Sequence, residues 1–298
     1  MSTDNNPRRE HPSTYTVRDL SSEEELNRLQ IHDQVLTMCM GGVLPEQPDP
    51  ARFRRVLDVG CGTGGWLIEA ARAYPNLSLL VGVDISNKML DYARAQARAL
   101  QIDDRVEFHQ MDALRMLEFP TAYFDLVNER SGTSWLRTWD WPKFLQECQR
   151  VTRPGGVIRV TEFTLVVEST SPALRRLVEL AIEAFYRSGH LFTQANDGVT
   201  KELARLLRQH GLQDVQTRAH VMEQRASTPE GQLFVEDWRR LFLVIVPFLR
   251  EWTRLPEDYQ DIYHQMLHQM QQPDFAATMR LLTAWGTRSP KFSRELSL

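Results

Sequence analysis

Residues 57–64, with the sequence Leu-Asp-Val-Gly-Cys-Gly-Thr-Gly, place three glycines and an acidic side chain where a predicted β-strand turns into a predicted helix. Gly60, Gly62 and Gly64 permit a tight turn, and they let a ligand lie against bare backbone because no Cβ stands in its way. The first turn of the following helix offers backbone N–H groups to such a ligand. The pattern therefore predicts a binding site for a nucleotide-sized cofactor.

The glycine spacing alone leaves two cofactor classes open. Gly60, Gly62 and Gly65 also fit the dinucleotide pattern G-x-G-x-x-G, with Asp84 at a distance suited to a ribose contact. A nicotinamide-dependent oxidoreductase is therefore one alternative. It does not explain Asp112 after the third predicted strand, nor the Arg-Pro-Gly-Gly turn at 153–156.

Further motifs follow the glycine turn in a definite order. Asp84 ends the strand 79–83, Asp112 follows the strand 105–109, and Asn128 ends the strand 123–128. In this order and spacing, residues 52–165 closely resemble the class I S-adenosylmethionine-dependent methyltransferases, most nearly the group of ubiquinone and menaquinone biosynthesis enzymes. The resemblance implies S-adenosylmethionine as the cofactor and a small molecule as the methyl acceptor.

The resemblance also implies roles for the residues around the methionine part of the cofactor. Gly60, Cys61 and Gly62 would pass their backbone along it, and Asn128 would face the methionine end. A non-catalytic protein that only binds S-adenosylmethionine is a second alternative, because methyl transfer leaves no mandatory sequence signature.

The nucleoside part would meet a second set of residues. The resemblance implies that Asp84 holds both ribose hydroxyls and that Ile85 and Met89 lie against the adenine ring. Asp112 would accept from the adenine amino group, while the backbone of Ala113 would contact a ring nitrogen. Without a ligand, Asp84 would be only a helix cap and Asp112 only a turn residue.

Acid–base help is optional in this chemistry, because the sulfonium is already activated and alignment supplies much of the rate. Glu129, Glu162 and His190 are the candidate acid–base residues. Each also has an ordinary alternative, namely an ion pair, a turn cap and a loop position. The chain lacks the Asn/Asp-Pro-Pro-Tyr/Phe and Pro-Cys motifs of nucleic-acid methylation after its fourth strand, so neither motif supports a nucleic-acid substrate.

Alternating strand and helix patterns must position these residues. Strands at 55–59, 79–83, 105–109, 123–128 and 156–163 alternate with helices at 64–74, 87–100 and 141–151 and a short helix near 113. The pattern predicts an α/β, Rossmann-like, seven-stranded doubly wound sheet, whose cofactor loops gather at the carboxyl edge.

The flanking segments are expected to form a helical cap and a helical insertion. Residues 1–50 would be a tail and cap, with a helix from Ser21 that has Glu24 in a capping box and ends at Gly41. Residues 51–227 would be the core, 228–272 an insertion before the last strand, and 273–298 the last strand and tail. The insertion is rich in aromatic side chains, so we expect either helix packing or a lid over a partly apolar acceptor pocket.

Composition limits the remaining possibilities. The chain has 298 residues, 42% hydrophobic, and a formal net charge of −4, which argues against general affinity for nucleic acid. Three widely spaced cysteines predict neither a disulfide framework nor a metal site. No membrane span or secretory signal is visible, so a soluble cytoplasmic protein is expected. The sequence leaves the oligomeric state and the acceptor's nucleophilic atom open.

Overall fold

The computed structural model describes residues 14–19, 22–194 and 198–290, and a seven-stranded sheet forms their centre. The strands are β1 Arg55–Val59, β2 Leu79–Asp84, β3 Val106–Gln110, β4 Phe124–Arg130, β5 Thr152–Ser169, β6 Leu212–Arg225 and β7 Ala276–Arg288. Their order across the sheet is β3-β2-β1-β4-β5-β7-β6. The predicted seven-stranded Rossmann-like sheet is confirmed.

The first five strands run parallel, whereas β7 pairs antiparallel with both β5 and β6. The chain adds β2 and β3 on one side of β1 and then β4 and β5 on its other side, so the strand order reverses at β1. Helices after β1 and β4 leave opposite faces at such a reversal, so a crevice opens outside the carboxyl ends of these strands. The glycine turn lies at this crevice.

Helices cover the sheet and fill the connections. They are α1 Glu23–Met40, α2 Gly65–Ala73, α3 Asn87–Ala99, α4 Trp141–Val151, α5 Pro172–Arg187, α6 Thr200–Gln209, α7 Pro229–Val244, α8 Val246–Trp252 and α9 Tyr259–Met270. Within the described ranges, none of these helices combines the length and apolar character that a bilayer crossing requires.

Local packing explains the first strand–turn–helix unit. Val56, Leu57 and Val59 are fully buried. Val56 packs in one hydrophobic cluster with Trp66 and Leu67 of α2, whereas Leu57 and Val59 belong to a second cluster. Since both faces of a parallel sheet are covered, the apolar run of β1 is interrupted only by Asp58 after the initial Arg55. The unit thus holds the glycine turn on a rigid base.

Most predicted strands and helices agree with the observed bounds to within two residues, and three further expectations differ from the structure. The short helix expected near 113 is wrong: Asp112 Oδ1 accepts from the Leu114 N–H at 2.9 Å, and this contact closes a turn there. The strand expected at 156–163 is longer, from Thr152 to Ser169. Helix α1 begins at Glu23, after Ser22, and the expected cap residue Ser21 lies outside the described residues.

Helices α7, α8 and α9 lie in the chain between the antiparallel neighbours β6 and β7. The rings of Phe234, Trp238 and Phe242 on α7 contact one another in succession at tilted angles, with centroids 5.3 and 5.5 Å apart. The Tyr259 hydroxyl of α9 donates to the Phe242 carbonyl at 2.6 Å. These contacts tie α7 and α9 into one packed layer.

Candidate functional site

A cavity of about 460 Å³ opens at the carboxyl ends of β1, β2 and β4. Eight of the nine residues proposed from the sequence to contact the cofactor line it. They are Gly60, Cys61, Gly62, Asp84, Ile85, Met89, Asp112 and Ala113. We refer to it below as the cofactor cavity; the contact assigned to each residue stays a prediction.

The glycine turn bends over the end of β2. The N–H groups of Gly60 and Cys61 both donate to the Val83 carbonyl, at 2.8 and 3.0 Å. Gly62 has a φ of +51°, in the left-handed region that favours glycine. A Cβ built on Gly62 would meet nothing nearer than Leu29 Cδ1 at 3.8 Å, so it would project into open space. The turn leaves room for a ligand beside Gly62.

Asp84 links the glycine turn to α3. Its Oδ2 accepts from the Gly62 N–H at 2.9 Å, and its Oδ1 accepts from the Ser86 N–H at 2.8 Å. Burial raises the pKa of Asp84, although these backbone hydrogen bonds favour its ionised form. The helix cap itself is Ser86, whose hydroxyl accepts from the Met89 N–H at 3.4 Å. Each carboxylate oxygen keeps a further lone pair for a hydroxyl donor.

The turn at residues 112–115 also lines the cofactor cavity. Asp112 forms the turn contact to Leu114 and an ion pair with Arg115, with Nε and Oδ2 3.2 Å apart. Met89 is buried, whereas Ile85 is 41% exposed. A flat ring that covered Ile85 would remove this exposed apolar surface from water.

Asn128 does not line the cofactor cavity, and its expected contact with the methionine end stays a prediction. Its side chain is fully buried, donates to Asp58 Oδ1 at 2.7 Å and accepts from Arg159 Nη1 at 2.6 Å. Arg159 in turn pairs with the buried Glu46, with Nε and Oε1 2.8 Å apart. Burial raises the pKa of Asp58 to about 7. Asn128 therefore belongs to a buried polar network between β1, β4 and β5.

Glu129 and Glu162 converge on either side of Gly132. A Cβ on Gly132 would lie 2.7 Å from Glu129 Oε1 and 2.9 Å from Glu162 Oε1. The Thr133 hydroxyl and N–H both donate to Glu162, the hydroxyl at 2.6 Å. Burial raises the pKa of Glu162 to about 7, and burial together with the charge of Glu162 raises the pKa of Glu129. At least one of the two carboxyl groups therefore carries a proton at neutral pH.

His190 lies away from the cofactor cavity, so the structure does not support it as an acid–base residue there. Its ring stacks on Phe248 at a centroid distance of 6.0 Å and also contacts Phe185. Burial, together with the charges of Arg137 and Arg18, lowers the pKa of His190 to about 3. The ring is therefore neutral and packs as an aromatic side chain.

A second cavity of about 160 Å³ adjoins the cofactor cavity and is mostly apolar. We call it the apolar cavity. Helix α7 contributes Phe234, Trp238, Leu241 and Phe242, and Glu162 lies in the wall. The two cavities share five lining residues, which are Tyr15, Leu29, His32, Ser131 and Ser134.

Sequence reasoning gave no role to the polar side chains at this junction. Tyr15 donates to Glu25 Oε1 at 2.6 Å, and His32 Nδ1 lies 2.9 Å from Asp237 Oδ2. Arg130 forms an ion pair with Asp33 in the wall of the cofactor cavity, with Nη2 and Oδ1 2.5 Å apart. No local pattern in the sequence connects His32 with Asp237, because 205 positions separate them.

The proton on Glu162 predicts a pH-dependent stability. Below its unfolded pKa near 4.5, both states are protonated and the buried neutral carboxyl keeps its full contribution. As the pH rises toward about 7, only the unfolded state loses its proton, so the free energy of unfolding falls, by about 3 kcal/mol from this group. We expect Glu162→Gln to reduce this fall in denaturant titrations at pH 5 and pH 8.

The exposed Glu118 provides the control for that measurement. Glu118→Gln should leave the difference between the two pH values as it is in the parent. If Glu162→Gln also leaves the difference unchanged, Glu162 is ionised in the folded protein.

The sequence is similar to known methyltransferases. Residues 56–156 match a family model described as a methyltransferase domain. A demethylmenaquinone methyltransferase from Deinococcus radiodurans is 41% identical over 111 residues, which cover 37% of this chain and 43% of that protein. A 27-O-demethylrifamycin SV methyltransferase from Amycolatopsis mediterranei is 34% identical over 131 residues, which cover 44% and 45%. The chain thus spans less than half the length of these two relatives.

The fold has a counterpart among solved structures. The YcgJ protein from Bacillus subtilis has a TM-score of 0.51 at 19% identity, and the alignment covers 87% of this chain and 99% of that one. The sheet order, the glycine turn at the carboxyl edge and the matched domain agree with one another. Residues 56–156 therefore form a methyltransferase domain.

Proposed function

We propose that this chain transfers the methyl group of S-adenosylmethionine to a small, largely apolar acceptor. The cofactor cavity would hold the methyl donor, and the apolar cavity would hold the acceptor. The observation that carries this proposal is that the two cavities adjoin, with Tyr15 and His32 in the walls of both.

The residues of the cofactor cavity fit a sulfonium nucleoside. The open space beside Gly62 would accept the methionine backbone, and Asp84 would accept hydrogen bonds from ribose hydroxyls. Met89 and Ile85 would cover the adenine ring, with Asp112 and Ala113 at its polar edge. S-adenosylmethionine supplies a methyl group that is already activated toward nucleophiles.

The protein's own contribution would be alignment and exclusion of water. Side chains of α5, α7 and β5 would hold the acceptor so that its nucleophile faces the cofactor cavity. The relatives' names support a small acceptor, since they designate methyltransferases of demethylmenaquinone and 27-O-demethylrifamycin SV. A protein that binds S-adenosylmethionine without catalysis is the alternative to exclude.

Transfer of a labelled methyl group tests the proposal. The protein is incubated with methyl-labelled S-adenosylmethionine and a deproteinised, nuclease-treated metabolite extract, and the products are partitioned into an organic solvent. We expect label in an organic-soluble small molecule only when the protein is present. If the protein binds the cofactor and no extract fraction accepts label, the chain is a binding protein.

We infer that the helical insertion covers the acceptor, and paired leucines on α7 test this. Leu241 lines the apolar cavity, whereas Leu243 on the same helix is 41% exposed. Leu241→Asn should lower turnover or change acceptor preference about tenfold and leave cofactor affinity within a factor of about three, because a polar amide would replace apolar contact area. Leu243→Asn should change neither.

The alternative role for the insertion is a structural support. In that case Leu241→Asn would lower the thermal midpoint and the cofactor affinity together. Thermal unfolding and S-adenosylmethionine titration of both variants distinguish the two roles.

A further inference from the structure

A histidine–carboxylate pair lies where the two cavities meet. His32 belongs to α1 and lines both cavities, and Asp237 belongs to α7 and lines the apolar cavity. The ring nitrogen Nδ1 of His32 is 2.9 Å from Oδ2 of Asp237. The pair therefore connects the N-terminal helix with the insertion at the place where an acceptor would meet the methyl donor.

The charge on Asp237 decides which ring nitrogen carries the proton. Burial alone would raise the pKa of Asp237, but the hydrogen bonds from His32 and Arg28 and the charge of Arg28 hold it below its ordinary value. Asp237 is therefore ionised and can only accept, so Nδ1 of His32 carries the proton and donates it to Oδ2. In the neutral ring, Nε2 then has a free lone pair.

The other ring nitrogen of His32, Nε2, makes no hydrogen bond to the described residues. Among the described residues, the contact to Asp237 is the only hydrogen bond that involves the His32 ring. The His32 ring contacts the Phe163 ring at a tilted angle with centroids 5.3 Å apart, and 20% of the His32 side-chain surface is exposed. A basic nitrogen with a fixed tautomer thus remains accessible within the cavity walls.

We propose that His32 is the general base that removes the proton from a hydroxyl group of the acceptor, and that Asp237 positions the His32 ring. The inference rests on the proposed methyl transfer and names the acceptor class for it. The acceptor is a weakly acidic hydroxyl, phenolic or enolic, on an apolar skeleton, because an imidazole matches such an acid far better than an alkyl alcohol.

The proton and electron balance follows from this assignment. The hydroxyl oxygen bonds to the methyl carbon as the carbon–sulfur bond breaks, and that bonding pair stays on sulfur. The hydroxyl proton passes to Nε2 of His32. The positive charge of the sulfonium therefore ends on the imidazolium, where the carboxylate of Asp237 stabilises it.

Other charged groups surround the pair. Arg28 of α1 has Nη1 3.4 Å from Oδ1 of Asp237, and it also pairs with Glu25. The Tyr15 hydroxyl joins the same network, and Glu162 lines the apolar cavity. In the wall of the cofactor cavity, Asp33 pairs with Arg130, so these two charges largely offset each other.

Histidine NMR on the unliganded protein provides a readout that does not depend on turnover. Two-bond ¹⁵N–¹H spectra of labelled protein should show His32 as the tautomer with Nδ1 protonated. Asp237→Asn should reduce the population of this tautomer, because an amide can donate as well as accept whereas a carboxylate can only accept. A His32 ring with protonated Nε2 and bare Nδ1, or a tautomer population that Asp237→Asn leaves unchanged, would overturn the assignment.

Turnover with matched probes tests the acceptor class. The probes are 1-naphthol and 1-naphthylamine, which share one apolar skeleton and differ in the nucleophile. We expect methyl ether formation from 1-naphthol, with kcat reduced at least about 100-fold in His32→Gln and S-adenosylmethionine affinity unchanged. His264→Gln, at an exposed histidine of α9, is the control and should match the parent.

The possible failures are distinguishable. If the parent does not bind S-adenosylmethionine, the proposed function fails. If it binds the cofactor but methylates only nitrogen or carbon, leaves 1-naphthol unmethylated, or retains ether formation in His32→Gln, the role of His32 fails and the proposed function stands.

Discussion

Replacing Gly62 by Val is expected to lower the affinity for S-adenosylmethionine by more than about 100-fold, or about 2.7 kcal/mol. A Cβ at this position would stand in the open space of the cofactor cavity, with Leu29 Cδ1 as its nearest neighbour at 3.8 Å. The branched side chain would therefore occupy volume that the ligand needs. Calorimetric titration of the variant with S-adenosylmethionine and S-adenosylhomocysteine measures the loss.

Backbone strain must be separated from this steric effect, because Gly62 has a φ of +51°. Gly155 offers a matched control: its φ is +73°, and a Cβ there would meet nothing within 4 Å. Gly155→Val should therefore show a comparable loss of thermal stability, of order 1 kcal/mol, with normal cofactor affinity. Retained binding in Gly62→Val, or equal loss in both variants, would contradict a ligand beside Gly62.

Replacing Asp84 by Ala should weaken S-adenosylmethionine binding by about 1.5–3 kcal/mol, which is roughly 10- to 150-fold. The substitution removes the carboxylate that would accept from the ribose, and it also frees the Gly62 N–H that Oδ2 holds at 2.9 Å. Competition of S-adenosylmethionine against a fluorescent nucleoside analogue measures the change.

Two further variants make the Asp84 result specific. Asp84→Asn keeps one oxygen acceptor and should lose less affinity than Asp84→Ala. Asp91→Ala removes an exposed carboxylate of α3 and should bind as the parent does. If Asp84→Ala retains parental affinity, Asp84 serves only to hold the glycine turn against α3.

The sequence indicated which residues meet at the carboxyl edge of the sheet because each of them follows a local signal. The glycines come directly after the apolar run of β1, and Asp84 comes directly after the apolar run of β2. Parallel strand topology then brings their carboxyl ends together regardless of side-chain detail. Gly60, Gly62 and Asp84 accordingly line one cavity.

Contacts that depend on strand register or on distant segments could not be predicted from the sequence. Asn128 lies in β4 near the carboxyl edge of the sheet. The strand register places it opposite Asp58, and its side chain donates a hydrogen bond to the Asp58 carboxylate. His190 follows a glycine as in many loops, yet Phe185 and Phe248 bury it. Both outcomes depend on how residues far apart in the chain pack, which local periodicity does not encode.

The ligand of the cofactor cavity is the central claim, and one calorimetric comparison on the parent protein tests it most directly. S-adenosylmethionine, S-adenosylhomocysteine and NAD are titrated separately into the full chain under the same conditions. We expect saturable binding of the first two at one site per chain and no measurable binding of NAD. Tight binding of NAD with no binding of either sulfur nucleoside would contradict the account.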